Sequence, residues 1–281
     1  MSVRVVTDST ADLAPQLVQM HNIGVVPLTV VFGDEVYKEG LEMTPDVFYE
    51  RLPGAKPMPT TSAPSVGDFL EVYKEALKTT DEIVSVHLSS KLSATYSAAC
   101  QAAAQLADEG ARIDVIDTQT VSLGIGFMTV AAAKAAAQGA SVEEIRRLVE
   151  SMIPRMHVFV VLDTLEYVRR GGRIGRARAF LGAVMRVKPI LSFRGGEVHP
   201  EERVRTKSLA LERMFQIATS YARATDVGIG YSTNAQEAEE LRRRLEAALP
   251  GAKIHVARLG PVLGVHGGPG TLGIGVLEGE E

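Results

Sequence analysis

A chain of 281 residues, 46% of them hydrophobic, is far longer than one marginal core requires and points to two domains with a cleft between them. Its formal net charge of -4 excludes a general binder of nucleic acid or of an anionic membrane, which needs a broad positive field, so any anion must be met locally. The single cysteine, Cys100, cannot close an intramolecular disulfide; in the apolar run SAACQAAAQL it reads as helix core in a reducing compartment.

Along the chain, short β-branched runs alternate with helix-period segments. MSVRVVTDSTADL lacks a basic region followed by an apolar one, so no secretory signal is expected. Val3 to Thr7 is the first buried strand, and Ser65 with Asp68 three residues on caps a helix over GDFLEVYKEAL. Strands follow at Ile83 to Leu88 and Arg112 to Asp117. The apolar stretch VSLGIGFMTVAAA is stopped by Lys134, well short of the ~20 residues that span a bilayer, so no stable membrane insertion is expected. Ser141 and Glu144 cap VEEIRRLVESM. After Pro154 the texture changes: strands at Val158 to Leu162, Val227 to Tyr231 and Ile254 to Ala257 accompany KPILSFRGGEVHP, two strands joined through Arg194, Gly195 and Gly196. The expected fold is α/β, with a largely parallel sheet in a first domain, residues 1–155, and a mixed α/β second domain, residues 156–281.

In such sheets ligands sit beyond the carboxyl ends of strands. Those ends are rich in hydroxyls here: TDSTADL, PTTSAPS, HLSSKLSATYSAA and DTQTVSLG. Each hydroxyl reads as a helix cap, or all of them together as an anion site of neutral donors for one carboxylate or phosphate. From Arg169 to Lys188, seven basic residues occur with no acidic one. This is a solvated face or a docking surface, with Gly171 and Gly172 letting backbone approach a ligand. No P-loop or G-x-S-x-G pattern is present, and Gly268 to Gly273 fits G-x-G-x-x-G by coincidence, having too little chain after it for a dinucleotide fold. Six histidines show no metal-ligand spacing, so neither a metal nor a cofactor is expected. One of them, His266, stands alone in GPVLGVHGGPGTLGIGV, whose glycines let that segment run close to the strand ends of the other domain.

TDSTADL, PTTSAPS, SSKLSATYSAA, RGGRIG, KPIL, VRTKSLAL and GPVLGVHGGPGTLGIGV, in this order from about Thr7 to Val276, resemble the DegV family of bacterial fatty-acid-binding proteins, including the FakB subunits of fatty acid kinase. The resemblance implies a non-catalytic two-domain carrier that buries one long-chain fatty acid between its domains, and the lack of a secretory signal or a membrane-spanning stretch places it in the cytoplasm as an expectation. It would present the carboxylate to a separate ATP-binding kinase subunit, whose acyl phosphate product feeds phospholipid synthesis. By position, Thr61 and Ser93 would hydrogen-bond the carboxylate, with His266 in the same polar network. Arg170 and Arg173 would lie near the head group or the kinase interface, and Arg205 and Arg176 would serve docking. Ala94 stands where many relatives have glycine. Two rival readings are a Ser-His acyl hydrolase using Ser93 and His266, and a phosphoprotein adaptor built on the basic patch.

Overall fold

The computed structural model describes residues 2–181 and 187–280. In chain order the first part runs β1 (Arg4–Asp8), α1 (Pro15–Met20), β2 (Gly24–Val26), β3 (Thr29–Phe32), β4 (Glu35–Lys38), α2 (Pro45–Arg51), β5 (Thr60–Ser62), α3 (Val66–Ala76), β6 (Glu82–His87), α4 (Thr95–Ala107), β7 (Arg112–Asp117), α5 (Leu123–Ala137) and α6 (Val142–Met152). The second part runs β8 (Met156–Val161), α7 (Glu166–Arg170), β9 (Lys188–Arg194), β10 (Glu197–Val204), α8 (Lys207–Thr219), β11 (Ala224–Tyr231), α9 (Ala235–Ala248), β12 (Lys253–Arg258), α10 (Pro261–Gly267) and β13 (Leu272–Glu278).

Strands β2, β1, β6 and β7 form a wholly parallel sheet in that order. Its core pairs Val5–Val6 and Ile83–Val84 are buried at consecutive positions, the pattern of a strand covered on both faces. The second sheet, in the order β10, β9, β8, β13, β11 and β12, is antiparallel except where β11 and β12 pair in parallel. Gly195 and Gly196 join β9 to β10, both at positive φ, as the expected tight hairpin turn requires. Both expected capping boxes, Ser65 with Asp68 and Ser141 with Glu144, are formed.

Helix α5 explains the most apolar stretch of the sequence. It packs on β1 and β6 from one side and on β8, β11 and β13 from the other, so a core running from Val5 and Val86 through Ile125 and Met128 to Val158 and Leu277 joins the two sheets. A helix covered all round has no polar face to display.

Two parts differ from the expectation. A small antiparallel sheet, β4-β3-β5, interrupts the first part, with β5 formed from the hydroxyl-rich PTTSAPS segment itself. Its strands are too short and too polar to show a period in the sequence. The glycine-rich closing segment is likewise no extended arm. It is α10 followed by β13, a central strand bonded to both β8 and β11. Gly268 and Gly270, both at positive φ, make the turn between them, so the G-x-G-x-x-G match leads into a strand.

Candidate functional site

Helix α10 carries His266, and its position is fixed from its first turn. The Gly260 N–H donates to Asp12 Oδ1 at 2.8 Å and the Val262 N–H donates to Glu39 Oε1 at 2.7 Å, so two carboxyl groups receive the free donors of the helix start. A turn later Gly264 lies against the small sheet's helix α2, where a Cβ would stand 2.4 Å from Phe48 Cε1. Val262 and Val265 complete a core with Val30, Phe32 and Phe48. The opposite side of α10 then sets His266 Nε2 2.9 Å from Thr61 Oγ1 on β5.

Asp12 and Glu39 are an unusual anchor. Burial pushes their carboxyls up, to about 7 and about 8, offset in part by the Ser122 and Ser9 hydroxyls that donate to them. Such groups stabilise the fold fully below their ordinary values of 3.8 and 4.5, and that stability is lost as pH rises through the raised values. The unfolding midpoint of ligand-free protein is therefore expected to fall between roughly pH 4 and pH 8 and to level off above. Glu39→Gln, which cannot ionise, should flatten that decline; a parental slope in the variant would show that Glu39 does not titrate there.

Next to His266 an apolar cavity runs over β8 and β13, lined by residues such as Leu123, Val158, Val160, Leu191 and Gly273. It shares Val121, Val168, Phe193, Val198, Leu263 and His266 with an adjoining pocket that also holds Thr61, Ser62, Ser93 and Arg173. One end is thus greasy, the other polar, and His266 stands at the join.

Ser93 lies just ahead of α4; its Oγ is 2.8 Å from Thr95 Oγ1 and accepts from the Thr95 N–H. The Arg173 guanidinium donates to the carbonyls of Leu92 and Gly171 at 3.1 and 2.8 Å. His266 Nδ1 is buried and has no hydrogen-bond partner among the described residues. Burial, and secondarily the Arg173 charge, pull the His266 pKa down to about 4, so at neutral pH it is an uncharged imidazole. Gly171 lies over this ring: a Cβ there would be 2.2 Å from Nδ1. Its missing side chain therefore makes room for His266 itself, where the sequence suggested room for a ligand.

The remaining expected residues lie elsewhere. Arg170 pairs with Glu166 on the surface of α7 and lines neither cavity. Arg176 is exposed and bonds Glu197 at 3.0 Å; Arg205, between β10 and α8, is exposed with no ion pair to the described residues. Residues from outside the basic run largely balance it, Glu166 meeting Arg169 and Arg170, Glu197 meeting Arg176, and Asp163 meeting Lys188. Arg186, another of the seven, lies outside the described residues.

Most strand-end hydroxyls are committed to the fold. Thr10 and the His87 ring both bond Asp8, Thr118 bonds the His87 carbonyl, and Ser122 bonds Asp12. The aspartates of TDSTADL, Asp8 and Asp12, stand among these hydroxyls and receive several of their bonds. Asp8, His87, Ser85 and Tyr73 form one fully buried chain of hydrogen bonds, Nδ1 to Oδ2 at 3.0 Å, Nε2 to Oγ at 2.6 Å and Oγ to the phenol at 2.9 Å. Among the described residues no helix is long and apolar enough to cross a membrane.

A family model described as an uncharacterised protein of the DegV family matches residues 2–279. A DegV domain-containing protein of Streptomyces coelicolor is 39% identical over 276 residues, 97% of each chain. Among solved structures, a DegV family protein from Thermus thermophilus described by its fatty acid binding superposes with a TM-score of 0.91 at 35% identity, covering 99% of this chain and 100% of that one. DegV of Bacillus subtilis, described as a fatty acid binding protein, gives 0.89 at 33%, with the same coverage.

Proposed function

This chain belongs to the DegV family, and from that premise we propose that it is a carrier for one long-chain fatty acid, held between parts 1–155 and 156–281, that presents the carboxylate to a separate ATP-dependent kinase subunit. The observation that carries the reading is the apolar cavity opening past His266 onto a pocket with Thr61 and Ser93. Its relatives from Thermus thermophilus and Bacillus subtilis, described as binding fatty acids, support it.

The chemistry fits the residues. Each buried methylene contributes roughly 0.8 kcal/mol, so the apolar cavity holds the tail, while a carboxylate leaving water needs donors at its oxygens. Thr61 and Ser93 supply hydroxyls, and the neutral imidazole of His266 is held beside them by its bond to Thr61. Arg173 already serves two carbonyls, so it lends positive potential and leaves the carboxylate nucleophilic toward phosphorus. Hydroxyl donors, a neutral imidazole and an apolar tail site fit a carrier; the phosphoryl donor belongs to the partner.

Protein produced in bacteria and denatured for extraction should release about one fatty acid per chain. Ser93→Ala and Thr61→Val should each weaken rebinding about tenfold or more, as loss of a charge-assisted hydrogen bond of ~1.5–3 kcal/mol implies. Parental affinity in both variants would move the carboxylate elsewhere. For the kinase step, Arg205→Ala is expected to slow acyl-phosphate formation by a cognate kinase, with a weaker salt dependence and unchanged fatty-acid affinity, because an exposed charge without an ion pair acts on encounter. Equal losses of binding and turnover would assign Arg205 to the fold. Arg176, held by Glu197, should show a smaller effect.

The hydrolase reading is disfavoured by specific contacts. Ser93 bonds Thr95 and His266 bonds Thr61, so no nucleophile–base hydrogen bond exists, and Nδ1 lacks the orienting carboxylate that a triad uses.

A further inference from the structure

Four glycines make one patch on the face of the second sheet beneath α5: Gly228 pairs with Gly275, and Gly230 with Gly273, across β11 and β13. Between them Ile229 and Ile274 alternate to the opposite face, buried with Met214 of α8 and Leu241 of α9. Glycine inside a central strand weakens it, so each missing side chain needs a reason. Packing within the protein supplies three of them. A Cβ would stand 2.7 Å from Leu123 Cδ1 at Gly228, 2.8 Å from Leu259 Cδ2 at Gly230 and 2.9 Å from Met156 Cε at Gly275.

Gly273 has no such reason. Its Cβ would meet only the Phe159 carbonyl oxygen at 3.4 Å and that of Gly230 at 3.9 Å, which are ordinary contacts, and its φ is not in the left-handed region. A Cβ has ordinary room in the protein around it. Yet Gly273 lines the apolar cavity, one residue after Leu272 joins the core and two after Thr271. What an added side chain would displace there is the occupant of the cavity.

We infer that Gly273 is the specificity-determining position of the acyl site: the bound chain lies directly on its Cα, and the size of the residue at this place sets how much hydrocarbon the cavity accepts. The inference rests on the fatty-acid carrier reading. It concerns which acids bind, a property that the polar residues around His266 do not control.

The test compares delipidated parent with Gly273→Ala, Gly273→Leu and, as a control on the opposite face, Ile229→Val. Affinities for lauric, myristic, palmitic and stearic acid are measured by fluorescence displacement, with thermal unfolding of each ligand-free protein alongside. In Gly273→Leu the ratio of stearic to lauric affinity should fall about tenfold or more, a change of ~1.4 kcal/mol or greater, with Gly273→Ala intermediate and both ligand-free variants at least as stable as the parent. Ile229→Val, outside the lining of the cavity, should keep the parental ratio. Parental ratios in both Gly273 variants would overturn the inference, as would equal losses for all four acids. Should Gly273→Leu fail to fold, Gly273→Ala decides, since its one added carbon has ordinary room. A parent that binds none of the acids overturns the carrier reading instead, and is recognised before any variant is compared.

Discussion

Asp8→Ala is expected to cost about 3–5 kcal/mol of folding stability, the range for removing one partner of a buried charged network. Asp8 is fully buried and receives the N–H groups of Thr10 and Leu88, the Thr10 hydroxyl and the His87 ring. Alanine leaves all of these donors without an acceptor in a place water does not reach, and each such orphan costs ~1–3 kcal/mol. Against a total stability of ~5–15 kcal/mol for an ordinary domain, the loss is large enough to read in a denaturant titration at neutral pH. Asp8→Asn keeps one acceptor oxygen and should lose clearly less. If Asp8→Ala unfolded within about 1 kcal/mol of the parent, water would have to enter the site and the chain from Asp8 to Tyr73 would not be holding β1 to β6. The effect should reach the pocket too, because the Leu88 N–H that Asp8 receives begins the segment leading to Ser93.

The second large effect is expected from a single methyl group. Gly171 has φ -68 and ψ -5, a conformation that alanine adopts without strain. Gly171→Ala should therefore fold normally, yet its Cβ would overlap His266 Nδ1 at 2.2 Å and drive the ring from its place beside Thr61. Fatty-acid affinity should fall about tenfold or more, comparable with loss of a hydroxyl donor, while the ligand-free midpoint changes little. The alanine variant of the adjacent Gly172 separates the causes. Gly172 has φ +70 and nothing within 4 Å of a Cβ, so that variant should lose stability through backbone strain and keep its affinity. Parental affinity in Gly171→Ala would show that His266 takes no part in binding.

The parts of this fold that were legible in the sequence are those whose signal is local. Consecutive buried β-branched residues announced β1, β6 and β7; Ser65 with Asp68 and Ser141 with Glu144 announced helix starts; two glycines announced the β9–β10 turn. Parts determined by distant partners were not legible. Thr60 to Ser62 is a strand only because Val30 and its neighbours offer an edge, and LGIGV is a central strand only because β8 and β11 lie on either side. The site shows the same division. Thr61, Ser93, Arg173 and His266 came from the family resemblance, and the structure brings them around one pocket, whereas it leaves Arg170 with Glu166 on the surface. Asp12 and Glu39 gave no sign at all, since nothing in their neighbourhoods says that both will cap α10. The alternation of glycine and isoleucine in GIGY and LGIGV was visible and went unread, because its meaning depends on knowing that the two strands are neighbours.

The central place of β13 has a consequence for how the molecule comes into being. Its partner strand β8 precedes it by more than a hundred residues, His157 and Glu278 being 121 apart, so the sheet is divided until this late segment arrives. During synthesis at ~5–20 residues per second, β8 and β11 emerge and wait, each with one β-strand edge unpaired, for several seconds. Until then the cavity has no floor at Gly273 and α5 lacks half of its cover. A ribosome-bound nascent chain stalled before residue 271 has emerged should accordingly be unable to take up lipid, and its exposed apolar surface makes it a natural client for chaperones. Loading then has to follow the pairing of β13 with β8 and β11.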